Sequence, residues 1–511
     1  MQSSNNSVRI AKNTIFLYIR MLVLMAVSLY TSRVVLEALG VEDYGIYNVV
    51  GGIVVMFTFI NNAMVTSTQR YLNYEIGRND VINTQKVFSI SVNIHVLIAL
   101  FILVLSETIG LWFLNTTIHY PESRELAVHV IYQLSILTTC VKIIRAPYNA
   151  AIIAYEKMSF YAYLSILEAV LQLLIVYLLR IMPFDSLIMY SLLLLFVAII
   201  INLCYYAYSR VKFQTCAYVF TKDKSLYRQL LSFSGWSLFG GVANISAGQG
   251  LNMILNYFFG VIVNAALGIA NQVGSALSSF IVSFQTAFKP QLVKSYASGD
   301  IEYFNKLILS SSKYSYLLSF VLALPIFICC PEVLSIWLTA VPDYSVAFCR
   351  LMLIFSILDA LQGPLWYSVL AVGKIKNYQI IMSLMILSNL PISYVCIKLG
   401  CQPSIVLTIR CIINFASLFV RLWYLKRLFN FPVKSFVSGV IARILPITII
   451  ASLLYWQPLN VDSAILKVLI IGVESIAINF ILILIIGLNK SERAIILNKI
   501  YEFNVKHKRN H

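Results

Sequence analysis

The chain has 511 residues, of which 60% are hydrophobic and only 12% are charged, and its mean hydropathy is +0.83. Soluble domains are closer to half apolar and a quarter charged, so this composition excludes a water-soluble globular protein. The net charge of +17 would suggest a nucleic-acid partner in a soluble chain. Membrane proteins ordinarily carry excess Lys and Arg on one side, so we expect membrane lipid, and no nucleic acid, as a partner.

Fourteen apolar stretches of about 20 residues, the length that crosses a bilayer as a helix, follow one another along the chain. Arg9 and Lys12 precede the first stretch and no small-residue cleavage site follows it, which indicates a retained helix and not a signal peptide. The predicted spans are 13–36, 44–66, 87–107, 126–153, 159–180, 187–208, 230–256, 265–288, 307–329, 344–372, 378–397, 404–420, 436–455 and 465–488. The pattern predicts an all-α polytopic membrane protein with about 14 transmembrane helices.

The distribution of Lys and Arg between these spans predicts the orientation of the chain. With the N-terminus placed in the cytoplasm, the inside segments hold 26 basic residues, and the outside segments hold 3, which are Arg124, Arg180 and Lys398. Cytoplasmic segments of membrane proteins carry this excess. We therefore expect a multi-pass protein of the inner (cytoplasmic) membrane with both termini in the cytoplasm.

A short internal repeat indicates two similar halves. The heptapeptide Gly45–Gly51 opens the second predicted helix, and Gly268–Gly274 opens the eighth, with five of seven positions identical. Six spans separate the two helices, so the halves have the same orientation, and transporters built this way bind substrate between their halves. We predict a six-helix lobe at 1–210, a second six-helix lobe at 211–430, and two further helices with a basic tail at 431–511.

Ionisable side chains inside the predicted spans are candidates for function because burying charge in a membrane is costly. Leaving out residues at the very ends of the spans, nine are basic and three are acidic. Lys313, Arg443 and Lys467 lie near helix ends, where they can reach the headgroups. The candidates for a cationic, water-filled cavity suited to a phosphate or pyrophosphate are Arg20, Arg33, Lys142, Arg145, Arg350 and Arg410.

Two acidic residues lie near the centres of their helices, Glu168 in the fifth span and Asp359 in the tenth. A central carboxylate either pairs with a buried cation or binds a coupling ion such as H⁺ or Na⁺. We favour the ion pair, and Glu168 with Lys142 or Arg145 is one such pairing.

The chain has no sequence motif of an enzyme. GxxxxGK[ST], HExxH, GxSxG and clustered Cys/His ligands are all missing from the sequence. The nine cysteines show no paired spacing, as expected for small buried hydrophobic residues. We therefore predict no catalytic residues, no metal site and no cofactor.

Several strings are similar to one family of transporters. They are Asn13-Thr14, Arg20, Ser32-Arg33, Leu39-Gly40-Val41-Glu42-Asp43-Tyr44-Gly45-Ile46-Tyr47, Pro147-Tyr148-Asn149-Ala150-Ala151-Ile152 and the stretch from Ala266 to Asp300. They resemble Wzx-type polysaccharide flippases of the MATE/MOP superfamily over roughly residues 8–430. Asn271-Gln272 stand where some relatives have a basic residue.

The resemblance implies two parallel six-helix bundles plus two extra C-terminal helices, and alternating access. It implies translocation of an undecaprenyl-pyrophosphate-linked oligosaccharide, a repeat unit of O-antigen, capsule or exopolysaccharide, from the cytoplasmic to the periplasmic leaflet. Arg20 and Arg33 match basic positions of the family's first helix. Other glycan-assembly proteins are candidate partners.

Three alternatives remain open. A MATE-type multidrug or cation antiporter would need an acidic cavity, and the basic excess argues against it. A membrane-embedded glycan polymerase or glycosyltransferase would have a similar hydropathy profile but usually a larger outward loop. A scaffold of a glycan-assembly complex would leave translocation unaffected when Arg20 or Lys142 is changed.

Overall fold

The computed structural model describes residues 2–56, 58–117, 120–179, 183–338, 341–454, 463–489 and 492. Within these ranges the chain forms helices joined by short turns, and no residue is in a β-strand. The helices of the first half are α1 (Gln2–Met56), α2 (Phe59–Gly77), α3 (Val81–Leu105), α4 (Leu111–Thr117), α5 (Glu125–Ala154), α6 (Met158–Leu179) and α7 (Ser186–Lys212). Those of the second half are α8 (Lys224–Ala297), α9 (Ile301–Ile328), α10 (Cys330–Trp337), α11 (Ser345–Val372), α12 (Lys376–Leu387), α13 (Asn389–Lys398), α14 (Ile405–Phe429), α15 (Val433–Phe436), α16 (Ala442–Leu454) and α17 (Ala464–Leu482).

Twelve helical segments of the described chain are long and apolar enough to cross a membrane. Each of them overlaps one predicted span. The other two predicted spans are 44–66, which the end of α1 and the start of α2 cover with Thr58 in a turn between them, and 230–256, which is helical throughout. The second of these two contains several Gly, Ser, Asn and Gln residues, which lower its hydropathy without ending the helix. The predicted class, a multi-pass all-α membrane protein, is confirmed.

Two glycines interrupt otherwise continuous helices at equivalent places. Gly40 in α1 has φ 79° and ψ 170°, and Gly260 in α8 has φ 76° and ψ −167°. This backbone conformation is open mainly to glycine, so the sequence sets both breaks. They lie 220 residues apart, as do Asp80 and Asp300, which each cap the following helix. The structural repeat is thus shifted by three residues, about one helical turn, from the match between Gly45–Gly51 and Gly268–Gly274.

The chain divides into two compact units that are not contiguous in sequence. Unit 1 contains the residues up to 242 together with 286–304 and 368–380, and unit 2 contains 243–285, 305–367 and the described residues from 381 onward. In unit 1, α5 packs against α3 and α7, and α1 packs against α6. The division predicted at 210 and 430 follows the repeat and remains a prediction.

Within unit 2, ion pairs join the last described part of the chain to α9 and α10. Lys467 of α17 pairs with Glu332 of α10, and Lys313 of α9 pairs with Glu492 at 2.6 Å. The predicted headgroup contact is wrong for Lys313, whose side chain is 3% exposed and held inside the protein. The side chain of Lys467 is 21% exposed, and its headgroup contact remains a prediction.

Candidate functional site

A polar cavity of about 450 Å³ lies inside unit 1, between α1, α5, α6 and α7. Its volume is within the range of small-molecule sites, about 300–1,000 Å³. Both glycines that line it are on α1, where the missing side chains leave space. The lining residues are Tyr47, Gly51, Gly52, Ser135, Thr138, Thr139, Lys142, Glu168, Gln172, Tyr190, Ser191, Leu194 and Ala198.

One face of α5 supplies the hydroxyl-rich wall. Ser135, Thr138, Thr139 and Lys142 are spaced by three, one and three residues, which places them on a single side of a helix. Thr138 donates its hydroxyl to the Leu134 carbonyl at 2.8 Å, so its oxygen presents lone pairs to the cavity. The wall therefore offers hydroxyl groups along about two turns and ends in an ammonium group.

The charges at the cavity do not balance. The guanidinium of Arg145 donates to the carboxylate of Glu168 at 3.0 Å, and both side chains are mostly buried, with 17% and 19% exposed. Arg145 and Glu168 are also the charged groups that interact electrostatically with Lys142. The side chain of Lys142 is exposed to the cavity. With two cations and one carboxylate, this group keeps one positive charge that is accessible to a ligand.

The structure places the basic candidates of helix α1 differently. The guanidinium of Arg20 lies 4.4 Å from the centre of the Tyr161 ring, a cation–π contact with α6, and Arg20 does not line the cavity described above. Arg145 makes a similar contact with Tyr205 at 5.3 Å. The side chain of Arg33 lies outside the part of the chain that the structure describes.

The remaining candidates belong to unit 2. Arg350 donates to the Phe327 carbonyl at 3.1 Å, which fixes it beside the end of α9. Arg410 lies 4.1 Å above the Phe355 ring, and Asp359 is the carboxylate that interacts electrostatically with it. Lys142, Arg145 and Glu168 thus form one cluster, and Arg350 and Arg410 lie at separate places in the other unit.

Several cavity residues were not predicted from the sequence. Tyr47 and Tyr190 meet edge to face with ring centres 5.1 Å apart, and Ser191 is 3% exposed with no hydrogen-bond partner for its hydroxyl among the described residues. These uncharged groups come from two helices, α1 and α7, and have no fixed spacing. Only the series Ser135, Thr138, Thr139 and Lys142 carries a signal in the sequence, because its spacing is helical.

A second polar cluster in unit 1 surrounds Glu156, directly after α5. Its carboxylate, 2% exposed, accepts from Arg9 at 2.8 Å and from Gln291 and Lys294 at 2.6 Å each. Gln291 and Lys294 are in the final turns of α8, inside the segment 286–304. The cluster therefore joins the end of α8 to the end of α5.

An equivalent contact involves the end of α11. Arg70 of α2 donates to the carbonyls of Leu370, Ala371 and Val372 at 3.2–3.3 Å, which are groups that the end of a helix leaves without partners. Gly373 follows with φ 88°, and a Cβ atom there would lie 2.4 Å from the Arg70 guanidinium. Only glycine suits this position.

The other end of α5 carries a third cluster. Arg124 donates to both carboxylate oxygens of Asp43, one at 2.8 Å, and also binds Asp185, the capping residue of α7. Asp43 belongs to the string Leu39–Tyr47 that carried the family resemblance. One role of this string is therefore to tie α1 to α5 and α7.

In the described chain, potential metal ligands do not cluster and the cysteines are all unpaired. No group of three or more His, Cys, Asp or Glu residues lies close enough there to hold a metal ion. The nine cysteines are free, and burial raises the pKa of the Cys216 thiol to about 12. A thiol of this kind stays protonated at neutral pH and reacts slowly.

Comparisons with known proteins point to one fold. No family model matches the sequence, and no curated protein matches it either. Among solved structures, one similar fold is that of a multidrug resistance MATE family transporter of the MOP superfamily in its outward-facing conformation. Its TM-score is 0.72 at 14% sequence identity, and the match covers 83% of this chain and 96% of the transporter's chain. The structure of a MATE point mutant has a TM-score of 0.70 at 15% sequence identity. The match covers 82% of this chain and 96% of the mutant's chain.

A third similar structure is a MOP superfamily transporter from Pyrococcus furiosus, described as having a binding pocket of reverse polarity that suggests a different function. Its TM-score is 0.70 at 15% identity, covering 82% of this chain and 95% of its own. At these identities the likeness concerns the fold. The chain has the fold of the MATE transporters of the MOP superfamily.

Proposed function

We propose that this protein is a flippase that moves a lipid-linked oligosaccharide diphosphate from one leaflet of the membrane to the other. The carrier lipid would be a polyprenol such as undecaprenol, and the glycan would be a repeat unit of a surface polysaccharide. The proposal rests on one observation, the exposed ammonium of Lys142 in a cavity where Glu168, the one carboxylate among the described lining residues, is already bound to Arg145.

The charge of the cavity supports an anionic ligand. A cation that faces a cavity inside the protein has fewer water molecules around it than one at the surface, and an incoming diphosphate would supply the missing negative charge. Hydroxyl groups from Ser135 and Thr139 can donate to phosphate oxygens beside the ammonium. Tyr47, Tyr190 and Gln172 add an aromatic and amide surface of the kind that sugar hydroxyls and ring faces can contact.

The fold supports alternating access. The similar structures are transporters, one of which is outward-facing. In the proposed cycle the diphosphate enters the cavity from the cytoplasmic side while the polyprenyl tail stays in lipid, and the protein then opens outward. The driving force is left open among an ion gradient, the membrane potential and consumption of the product.

A cation antiporter is the second candidate, and the fold is equally compatible with it because most of the similar structures are MATE transporters. An exchanger of this type needs a carboxylate that can alternate between a proton and a cationic substrate. Glu168 fits this role poorly, since Arg145 holds it at 3.0 Å and Lys142 is its neighbour.

The test is reconstitution of the full chain into vesicles with a lipid-linked oligosaccharide diphosphate that carries a dithionite-sensitive fluorophore. We expect a fraction of the fluorophore to become accessible at a rate above that of empty vesicles. Lys142→Gln should slow this rate roughly 10–100-fold, the effect of one charge-assisted hydrogen bond. Lys398→Gln, an exposed lysine outside the cavity, serves as the matched control.

Two outcomes would contradict the proposal. One is a Lys142→Gln rate equal to that of the control, and the other is accelerated efflux of a cationic dye by the unaltered protein with no lipid translocation. The second outcome would support the antiporter.

A further inference from the structure

The segment 213–223, which joins α7 to α8 and is named the strap here, is fixed to unit 1 along its inner side. The Phe213 ring stacks on Tyr155 with centres 4.2 Å apart, and the Tyr155 and Thr215 hydroxyls are 2.7 Å apart. Phe213, Thr215 and Cys216 are all buried. The strap therefore has a defined conformation and a defined outer side.

Hydrogen bonds to helix α3 show at which level of the helix bundle the strap lies. Gln85, Ser89 and Asn93 recur every four residues, on one face of α3, and each bonds to the strap. Gln85 donates to the Ala217 carbonyl at 3.0 Å, and Ser89 accepts from the Val219 amide at 2.9 Å. The predicted apolar span of this helix begins at residue 87. The middle of the strap thus lies level with the place where the apolar part of α3 starts.

The outer side of the strap is apolar at this level. Tyr218, Val219 and Phe220 are 49%, 45% and 69% exposed. Water would be an unfavourable neighbour for three consecutive apolar side chains, whereas the boundary between headgroups and acyl chains suits aromatic residues.

Basic residues surround this apolar surface. The described residues between 210 and 228 include one acid, Asp223, whose carboxylate caps α8 through the Leu226 amide at 3.0 Å. Lys222 also lies 5.7 Å above the Phe220 ring, so a positive charge stands directly beside the most exposed aromatic residue. The exposed basic residues are Arg210, Lys212, Lys222, Lys224 and Arg228.

We infer that the strap is an interfacial binding surface for anionic phospholipid headgroups, with Phe220 inserted at the acyl boundary and the basic residues on the lipid phosphates. Each basic residue at such a surface changes the affinity on the order of fivefold at low salt. This inference does not depend on the identity of the transported substrate, since the strap lies outside the cavity.

The insertion is tested with Phe220→Trp in full-length protein reconstituted into vesicles of phosphatidylglycerol and phosphatidylcholine. The unaltered protein has 6 Trp residues, so its fluorescence is subtracted to give the emission of the added Trp. Quenching of this emission is then measured with lipids brominated near the top of the acyl chain and, separately, with acrylamide in the water. Ser298→Trp, at an exposed turn after α8, is the control. We expect brominated lipid to quench the emission at position 220 and acrylamide to quench that at position 298.

The preference for anionic lipid is tested by placing the bromine on phosphatidylglycerol or on phosphatidylcholine alone. We expect several-fold stronger quenching of Phe220→Trp by the anionic lipid, and a ratio near one once Lys212, Lys222 and Lys224 are changed to Gln. Quenching by acrylamide at position 220, as for an open surface or one awaiting a protein partner, would overturn the insertion. Equal quenching by the two lipids in the parent would overturn the headgroup preference.

Discussion

At the scale of single residues, the cavity of unit 1 depends on how three charged groups share their interactions. Arg145 and Glu168 face each other from α5 and α6, and Lys142 stands one turn before Arg145 on the same helix. The guanidinium is the better partner for a carboxylate because its flat fork of donors matches the two oxygens. This leaves the ammonium of Lys142, a compact point charge, toward the cavity.

Changing Glu168 to Gln should therefore lower stability while leaving a cavity that still binds anions. We expect a loss of about 1–3 kcal/mol in the free energy of unfolding, because Arg145 loses a charge-assisted hydrogen bond in a mostly buried place. The measurement is thermal unfolding in detergent, in a double-mutant cycle with Arg145→Gln. If the two single changes add without coupling, the ion pair has no energetic weight and the charge argument fails.

At the scale of secondary-structure elements, the ends of α5 and α11 are held in two related ways. Glu156 has φ 59° and Gly373 has φ 88°, so both helices end at a residue in the left-handed region. The first end presents a carboxylate to Arg9, Gln291 and Lys294, and the second presents bare carbonyls to a guanidinium. In both cases a cation meets the negative end of a helix, an arrangement that the helix dipole favours.

Glu156→Gln tests the first of these contacts. Gln keeps the shape and the backbone strain of Glu, so the change isolates the charge that holds Arg9 and Lys294. We expect a loss of about 2–3 kcal/mol in the free energy of unfolding, less than the 3–5 typical of a fully buried pair because Arg9 is 47% exposed. Glu302→Gln, an exposed acid in the first turn of α9, should change stability by under about 0.5 kcal/mol.

The measurement for both variants is chemical or thermal unfolding in the same detergent, followed by one spectroscopic signal. Equal stability of Glu156→Gln and Glu302→Gln would show that the cluster around Glu156 does not fasten the end of α8.

At the scale of the whole molecule, the asymmetry of charge predicts the orientation. Of the Lys and Arg residues outside the predicted spans, 26 fall on one side and 3 on the other. We predict that a fluorescent protein fused after the last residue is bright, as in the cytoplasm, and that alkaline phosphatase inserted between 399 and 404 is active, as in the periplasm. A dark C-terminal fusion together with an inactive insertion would reverse the topology.

Much of the fold could be predicted from the sequence because membrane insertion is decided locally. Each span is a run of apolar residues whose backbone must satisfy its own hydrogen bonds in lipid, so existence, length and order follow from composition. Gly40 and Gly260 were visible as glycines, but only the structure shows that the helices break there. Glu168 was predicted to pair with Lys142 or Arg145, two cations on the preceding helix, and the structure selects Arg145.

The sequence by itself determined that this protein is helical and membrane-spanning, since both properties are averages over many residues and do not depend on any single one. The tertiary structure alone decided which charges meet. Lys313 and Lys467 are near helix ends in the sequence, yet each lies against a carboxylate far along the chain. The cavity wall of Ser191, Tyr190 and Tyr47 likewise exists only once α1 and α7 pack, because contacts between uncharged polar residues follow no fixed spacing along the sequence.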